Sequence, residues 1–340
     1  MGYKNKNYKL DLHQQMYNRL VNMQAFGESK KEAIRNGTDR DKIFSFKTFS
    51  TYKEHCGYFI RYIKLNHPEC TNLKQTKTFV REWLQLRVDQ GLSAWTLHTE
   101  TAALRKLFGM NKDDPDNFTP PQRKREDIKR SRTSRARDKH FSVSNNDELI
   151  RFCKGVGARR EGMIKMKGKD LRTKQQIKDE VKRLIQISKE RKLTKDEYME
   201  LRINKEALLF FKHEFFVYIR EKGGRKRISP IVGPDVDQIV ARFRRTSADE
   251  KVWLNVSSNA DIHGYRSDFS NICYKAYARE IEEIPYKTAK GTGRRYRPDV
   301  YFCRKDEKGC MLDKKAMKLA SIALGHSRLD VIANNYLRGL

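Results

Sequence analysis

What this sequence lacks sets the first limits. It has no apolar run approaching the ~18 residues a membrane-spanning helix needs, so no membrane span is expected. Its opening stretch, MGYKNKNYKLDLHQQ, is polar and has no apolar segment of the secretory kind. Cysteine is sparse, with six in 340 residues: Cys56, Cys70, Cys153, Cys273, Cys303 and Cys310. Their scatter argues for reduced thiols in a cytosol rather than a disulfide framework. Cys303 and Cys310 have no second Cys/His pair nearby, so no zinc site is expected. The glycine-rich phosphate loops GxGxxG and GxxxxGK[ST] are missing in strand–helix context, as are HExxH and GxSxG. Nucleotide-loop, zincin and nucleophile-elbow chemistries lose their sequence support, and no cofactor is expected.

Negative charge is also short. Asp and Glu number 43 against 73 Lys and Arg, a net charge of +30. Solubility asks for far less. The excess favours a polyanionic partner, because each neutralised phosphate releases counterions. The charge runs along the whole chain rather than one amphipathic helix, which favours nucleic acid over a membrane surface. Seventeen Phe, 15 Tyr and three Trp are enough to fill real cores, so the chain is expected to fold.

The punctuation divides the chain into four parts. Residues 1–42 are polar with a weak apolar rhythm (Leu10, Met16, Leu20, Met23) and read as an arm or short helix. Residues 43–110 read as a small helical bundle. Phe49, Tyr52, Phe59 and Ile63 mark one helix, Phe79 to Val88 a second that stops at Gly91, and Ser93 caps a third ending at Gly109. Residues 111–141 hold Pro115, Pro120 and Pro121, then nine basic and three acidic residues between Arg123 and Lys139. This predicts a flexible basic linker. Residues 142–340 form a second domain. A helix around 147–155 opens it, capped by Ser144 or Asn145, and a charged helical stretch fills 174–209. EFFVYIREKGGRKRISPIV reads as strand, Gly223-Gly224 turn and strand. From about 282 to 313 the sequence is charged and loop-like. The expected class is mainly α, with a helical domain followed by an α+β domain carrying a small antiparallel sheet.

The residues that carry chemistry in the second domain are basic. In order they are Arg159 in GVGARREGMIKMKGKDL, Lys222 at the hairpin tip, His263 and Arg266 in HGYR, His326 in LGHS, and Tyr336. Any one alone has an ordinary explanation: a tip lysine for solubility, a core histidine, a packed tyrosine. Together they can hold a phosphodiester and move protons, with a tyrosine hydroxyl as nucleophile.

This ordered set resembles the tyrosine recombinase (phage-type integrase) family, whose members show Arg, Lys, His-x-x-Arg, Leu-Gly-His and Tyr in the same order. Gly157-Ala158-Arg159 is similar to the family's Gly-Leu-Arg. Met166 and Asp170 fall where a Leu and an Asp follow it; that spacing favours Arg159 over Arg160. KGGRKRISPI is similar to the family's basic hairpin. The resemblance covers roughly residues 43–340. It departs at Gly162, where the family usually has Glu, and at the expansions 174–209 and 282–313. The second expansion contains Arg294, Arg295, Tyr296 and Arg297, a composition suited to phosphate contact and stacking.

The resemblance implies the recombinase fold, with a core-binding domain and a catalytic domain clamping duplex DNA, joined by the basic linker. It implies site-specific strand cleavage and rejoining through a 3′-phosphotyrosine, without metal or ATP. Arg159 and Arg266 would clamp the scissile phosphate, Lys222 protonate the leaving 5′ oxygen, His263 serve as acid/base, His326 hydrogen-bond the phosphate, and Tyr336 attack. The implied partners are double-stranded DNA and a homotetramer on two DNA sites. Mutual repulsion would keep the free protein monomeric. The implied setting is the nucleoid of a bacterial cell carrying a phage or mobile element. Two other readings stay open: a DNA-binding regulator on this scaffold with cleavage lost, and a topoisomerase of related chemistry.

Overall fold

A computed structural model describes residues 11–111, 113–124, 141–221, 224–303, 309–326 and 328–337. The chain divides into two compact units, residues 1–131 and 132–340. It is mainly helical with small antiparallel sheets.

The first unit holds α1 (Leu12–Val21), α2 (Lys30–Arg35), α3 (Phe46–Asn66), α4 (Val80–Asp89) and α5 (Ala94–Phe108). Ser93 caps α5 by accepting from the Thr96 N–H, and Gly109 ends it in the left-handed conformation. Phe59, Ile60 and Ile63 of α3 pack with Leu84 of α4 and Leu104 and Leu107 of α5. Leu12, Met16, Leu20 and Met23 join the same core. From Asp11 onward the segment read as an arm or short helix forms helix α1 and packs into the bundle; its apolar rhythm is the signature of a buried helix face. Residues 1–10 lie outside the described residues. The first part of the expected linker is also tied down. Asp114 pairs with Lys77 at 2.7 Å, Asn117 accepts from Arg105 at 2.7 Å, and Phe118 packs on the core. The basic run 125–140 lies outside the described residues.

The second unit follows the order α6 (Asp147–Val156), α7 (Arg160–Lys165), β1 (Leu171–Thr173), α8 (Lys174–Glu190), α9 (Lys195–Leu208), β2 (Phe215–Arg220), β3 (Lys226–Pro230), α10 (Val236–Arg244) and α11 (Ile262–Tyr277). After these come β4 (Lys287–Thr288), β5 (Arg295–Tyr296), β6 (Val300–Phe302), β7 (Met311–Asp313), α12 (Lys314–Leu324) and α13 (Leu329–Asn335). The hairpin β2–β3 is antiparallel, with Val217 opposite Ser229 and Ile219 opposite Arg227. A third strand, β1, pairs on the outer edge of β2. The apolar run of β2 is explained by burial on both faces. Phe216 and Tyr218 enter a core with α9, α11 and α12, while Val217 and Ile219 enter a second core with α6 and α10. The stretch 174–209 is a helical pair, α8 and α9, each opened by a reciprocal cap (Thr173 with Gln176, Thr194 with Glu197). The stretch expected as loop-like instead holds two short hairpins, β4–β5 and β6–β7. Among the described residues no helix is long and apolar enough to cross a membrane. Among the described residues no two cysteines are joined in a disulfide.

Candidate active site

The site grows from two glycine turns. Gly157 ends α6 at φ +63°, and a Cβ there would lie 2.4 Å from the Phe269 ring of α11. Only glycine meets both demands. Its carbonyl is left facing inward and accepts from two guanidiniums, Arg227 at 2.9 Å and Arg266. Gly325 ends α12 at φ +72°, and a Cβ there would approach Arg227 Cδ to 2.9 Å. The last α12 carbonyls also receive the arginines. Leu324 accepts from Arg266 at 3.1 Å, and Ala323 accepts from Arg227. Guanidinium donors at a helix C-terminus are favoured by the partial negative charge there.

A carboxylate that the sequence reading passed over ties the arginines together. Glu221 directly follows β2 and is 2% exposed. Its Oε1 lies 3.1 Å from Arg227 and 3.6 Å from Arg266, and its Oε2 lies 2.9 Å from Arg159. Burial works to raise the Glu221 carboxyl, but Arg227, Arg159 and Arg266 outweigh it and hold it below its ordinary value. Arg227 is itself buried, and burial pushes its guanidinium down to about 10 despite the pull of Glu221. One carboxylate against three arginines leaves the cluster strongly positive.

Arg266, which contributes to that excess, is fully buried on α11, and its Nε has no hydrogen-bond partner. Its Cζ lies 5.8 Å from the Tyr336 ring centre. Tyr336 follows α13 and is 6% exposed. Its carbonyl accepts from Ser267 of α11 at 2.7 Å, which fixes the tyrosine backbone beside Arg266. The His326 ring lies 5.2 Å from the Tyr336 ring, and its Nε2 is buried without a partner. Burial, reinforced by Arg266, Arg159, Arg225 and Arg227, pushes His326 down to about 4. The imidazole is therefore neutral at pH 7, able to donate one hydrogen bond without adding charge. A cleft of about 430 Å³ opens here, lined by Arg159, Glu221, Arg225, His326, Arg328 and Val331. Its neighbour, about 380 Å³ and sharing Arg225 and His326, is walled by Met199, Arg202 and Ile203 of α9, so the inserted pair reaches the rim of the site.

Four of the six sequence candidates thus meet: Arg159, Arg266, His326 and Tyr336. Of the adjacent arginines, Arg159 lines the cleft, whereas Arg160 donates to the Val256 carbonyl at 2.9 Å. His263 lies exposed on the first turn of α11, three residues before Arg266. Lys222 lies outside the described residues, in the sequence between β2 and β3. Gly162 packs under β2, where a Cβ would sit 3.2 Å from Ile219. The sequence reading missed Glu221 and Arg227. The signal was strand parity: Val217 and Ile219 point into one core, and Glu221 continues that face.

Chemically, the cleft and the residues buried beside it offer surplus positive charge, an unpartnered Arg266 Nε–H, a neutral imidazole and a phenol. That combination suits an oxyanion such as a phosphodiester. Among the described residues no group of three or more His, Cys, Asp or Glu is arranged to hold a metal ion. No protein-family model, curated protein or solved structure matches this chain.

Proposed function

We propose that this chain is a site-specific DNA recombinase of the tyrosine class, which cleaves and rejoins DNA strands through a covalent 3′-phosphotyrosine. One observation carries the reading. Arg159 and His326 line one cationic cleft, Arg266 and Tyr336 are buried beside His326 with the Tyr336 ring 5.2 Å from the imidazole and 5.8 Å from Arg266 Cζ, and Arg266 Nε and His326 Nε2 have no hydrogen-bond partner. The net charge of +30 supports a nucleic-acid partner.

The chemistry follows from these roles. Arg159 and Arg266 hold the non-bridging oxygens of the scissile phosphate, and His326 donates to the same group. The Tyr336 oxygen bonds to phosphorus as its proton leaves, with His263 as the acid/base. The phosphorus–O5′ bond breaks, and the leaving oxygen takes a proton from Lys222. The phosphotyrosine conserves the bond energy, so attack by a 5′-hydroxyl reverses the step and seals a new strand. Charge developing on the phosphoryl oxygens is met by guanidiniums already fixed by Glu221 and the carbonyls of Gly157 and Leu324, so little reorganisation is needed. Strand exchange between two duplexes calls for four copies assembled on DNA.

The test is covalent trapping. The protein is incubated, without metal or nucleotide, with pooled nicked duplexes from its own genetic neighbourhood and run on a denaturing gel. The expected result is a protein–DNA adduct that disappears in Tyr336→Phe while native-gel binding persists. Tight binding with no adduct on any substrate would overturn the cleavage step and leave a DNA-binding regulator.

A further inference from the structure

The two expansions of the second unit are both charged, but their charges are arranged in opposite ways. In the α8–α9 pair, acids are interspersed among the cations and the arginines are paired, Arg183 with Glu180 at 2.6 Å, Arg191 with Glu197 at 2.6 Å, and Arg202 with Glu206 at 2.9 Å. In the β4–β5 hairpin, residues 286–297 read YKTAKGTGRRYR, with five cations and no acid. Among the described residues none of Lys287, Lys290, Arg294, Arg295 and Arg297 forms an ion pair. Among the described residues, Glu280, Glu282 and Glu283 precede the hairpin without pairing to it, and Asp299 and Asp313, which follow it, are taken by Arg279 and Lys315. Residues 290–296 are all exposed.

The hairpin is also built. Lys287 pairs with Tyr296 and Thr288 with Arg295, and the Ala289 N–H donates to the Arg294 carbonyl at 2.9 Å. Tyr286, Arg295 and Arg297 share one face by strand parity. The Arg295 and Arg297 guanidiniums lie 4.6 and 4.2 Å from the Tyr286 ring centre. A ring engaged by two cations is poorly placed to stack on a base. It serves instead to hold the guanidiniums, leaving their N–H edges for an anion. Arg297 Nε is buried with no partner. The hairpin exposes no large aliphatic side chain that could enter a lipid surface, which favours a polynucleotide over a membrane.

The geometry points to the β4–β5 hairpin as a second, sequence-independent binding element that grips the phosphate backbone of double-stranded DNA outside the cleft. The assignment rests on DNA being the partner but not on the cleavage step.

The experiment compares three full-length proteins on a random-sequence duplex of about 40 base pairs, by fluorescence anisotropy across a salt series. They are the wild type, the hairpin variant Lys290→Gln/Arg294→Gln/Arg295→Gln, and a charge-matched variant Lys178→Gln/Lys182→Gln/Lys189→Gln on the exposed side of α8. Each phosphate that a variant no longer neutralises should lower the slope of log affinity against log salt by about 0.9. The hairpin variant is expected to lose about two to three units of slope and bind roughly 10- to 100-fold more weakly at low salt. The α8 variant should change less than about threefold. Arg294→Gln alone should lose about one unit of slope, which guards against misfolding of the triple variant. Equal losses in the hairpin and α8 variants would reduce the effect to net charge and overturn the assignment. So would an unchanged slope, or binding to anionic phosphatidylserine vesicles that the hairpin variant alone loses while its DNA binding stays intact. Tyr336-dependent adduct formation at saturating DNA should stay within about twofold of wild type in the hairpin variant. If DNA binding falls as expected but no protein forms an adduct, the hairpin stands and the cleavage reading falls.

Discussion

Among the described residues each unit buries one glutamate almost completely, and the two are answered differently. Glu100 of α5, 0% exposed, accepts from the Trp83 indole at 3.0 Å and from Arg87 at 3.4 Å, with His55 at 3.9 Å. One carboxylate faces one guanidinium, and the charge balances. Glu221, 2% exposed, faces three guanidiniums, and its neighbours Arg266 and His326 keep buried atoms without partners. A balanced buried pair describes a fold. The unbalanced one lies beside a cleft, and the proposed anion site rests on that surplus positive charge.

The largest effect expected from breaking this contrast is at Glu221. Glu221→Gln leaves buried Arg227 and Arg266 facing a neutral amide, an uncompensated-charge defect worth about 3–5 kcal/mol. Two units make a single unfolding free energy ill-defined, so the loss is best read by hydrogen exchange in β2 and α11 peptides. It should be confined to the second unit. Protection unchanged there would show that Glu221 does not hold the arginines.

Next in size is Arg159→Ala. Arg159 lies at the cleft and about a third of its side chain is exposed, so the fold should survive. Losing one donor on the developing phosphoryl charge should slow adduct formation by roughly 10²–10³-fold. Arg160→Ala, which removes only a bond to the Val256 carbonyl, should leave that rate near normal. The reverse pattern would reassign the clamp. Smaller again, Glu100→Gln keeps an acceptor for Trp83 and loses only the charge toward Arg87, so exchange in α4 and α5 should report about 1–2 kcal/mol. A loss as large as that at Glu221 would collapse the distinction drawn between the two carboxylates.

The same contrast shows what a sequence can and cannot disclose. Local signals were legible: the Ser93 cap and Gly109 stop of α5, the strand pair around Gly223-Gly224, and the ordered basic set ending at Tyr336. These depend on neighbours in the chain. Glu221 was not legible, because in REKGGRKR it looks like one more charge near a turn. Its meaning comes from Arg159 and Arg266, brought in from 62 residues before and 45 after. Arg227 looked like the way out of the hairpin and is instead buried between two helix ends. Strand β1, three residues long, is too short to show a period, and only its pairing with β2 defines it. The N-terminal rhythm was visible, but its partner surface on α3 and α5 was not, so the choice between an arm and a packed helix stayed open.

The smallest expected effect is on pH dependence, and it tests the unbalanced cluster from the cation side. His326 sits at about 4 in the folded protein, against an ordinary value near 6.5. Between these values the unfolded chain binds more protons than the folded one, so stability rises with pH across that window and is lost as pH falls through it. Allowing for partial solvent exposure, the loss should be about 1–2 kcal/mol between pH 6.5 and 4. His326→Gln removes this titration, so its second unit should lose less protection on acidification than wild type. Parallel pH profiles would show that neither burial nor the arginines hold His326 below its ordinary value. A bound phosphodiester should offset Arg159 and Arg266 and let the imidazole titrate higher, moving the His326 resonance midpoint upward in an NMR titration. A midpoint unmoved by saturating DNA would place the phosphate elsewhere.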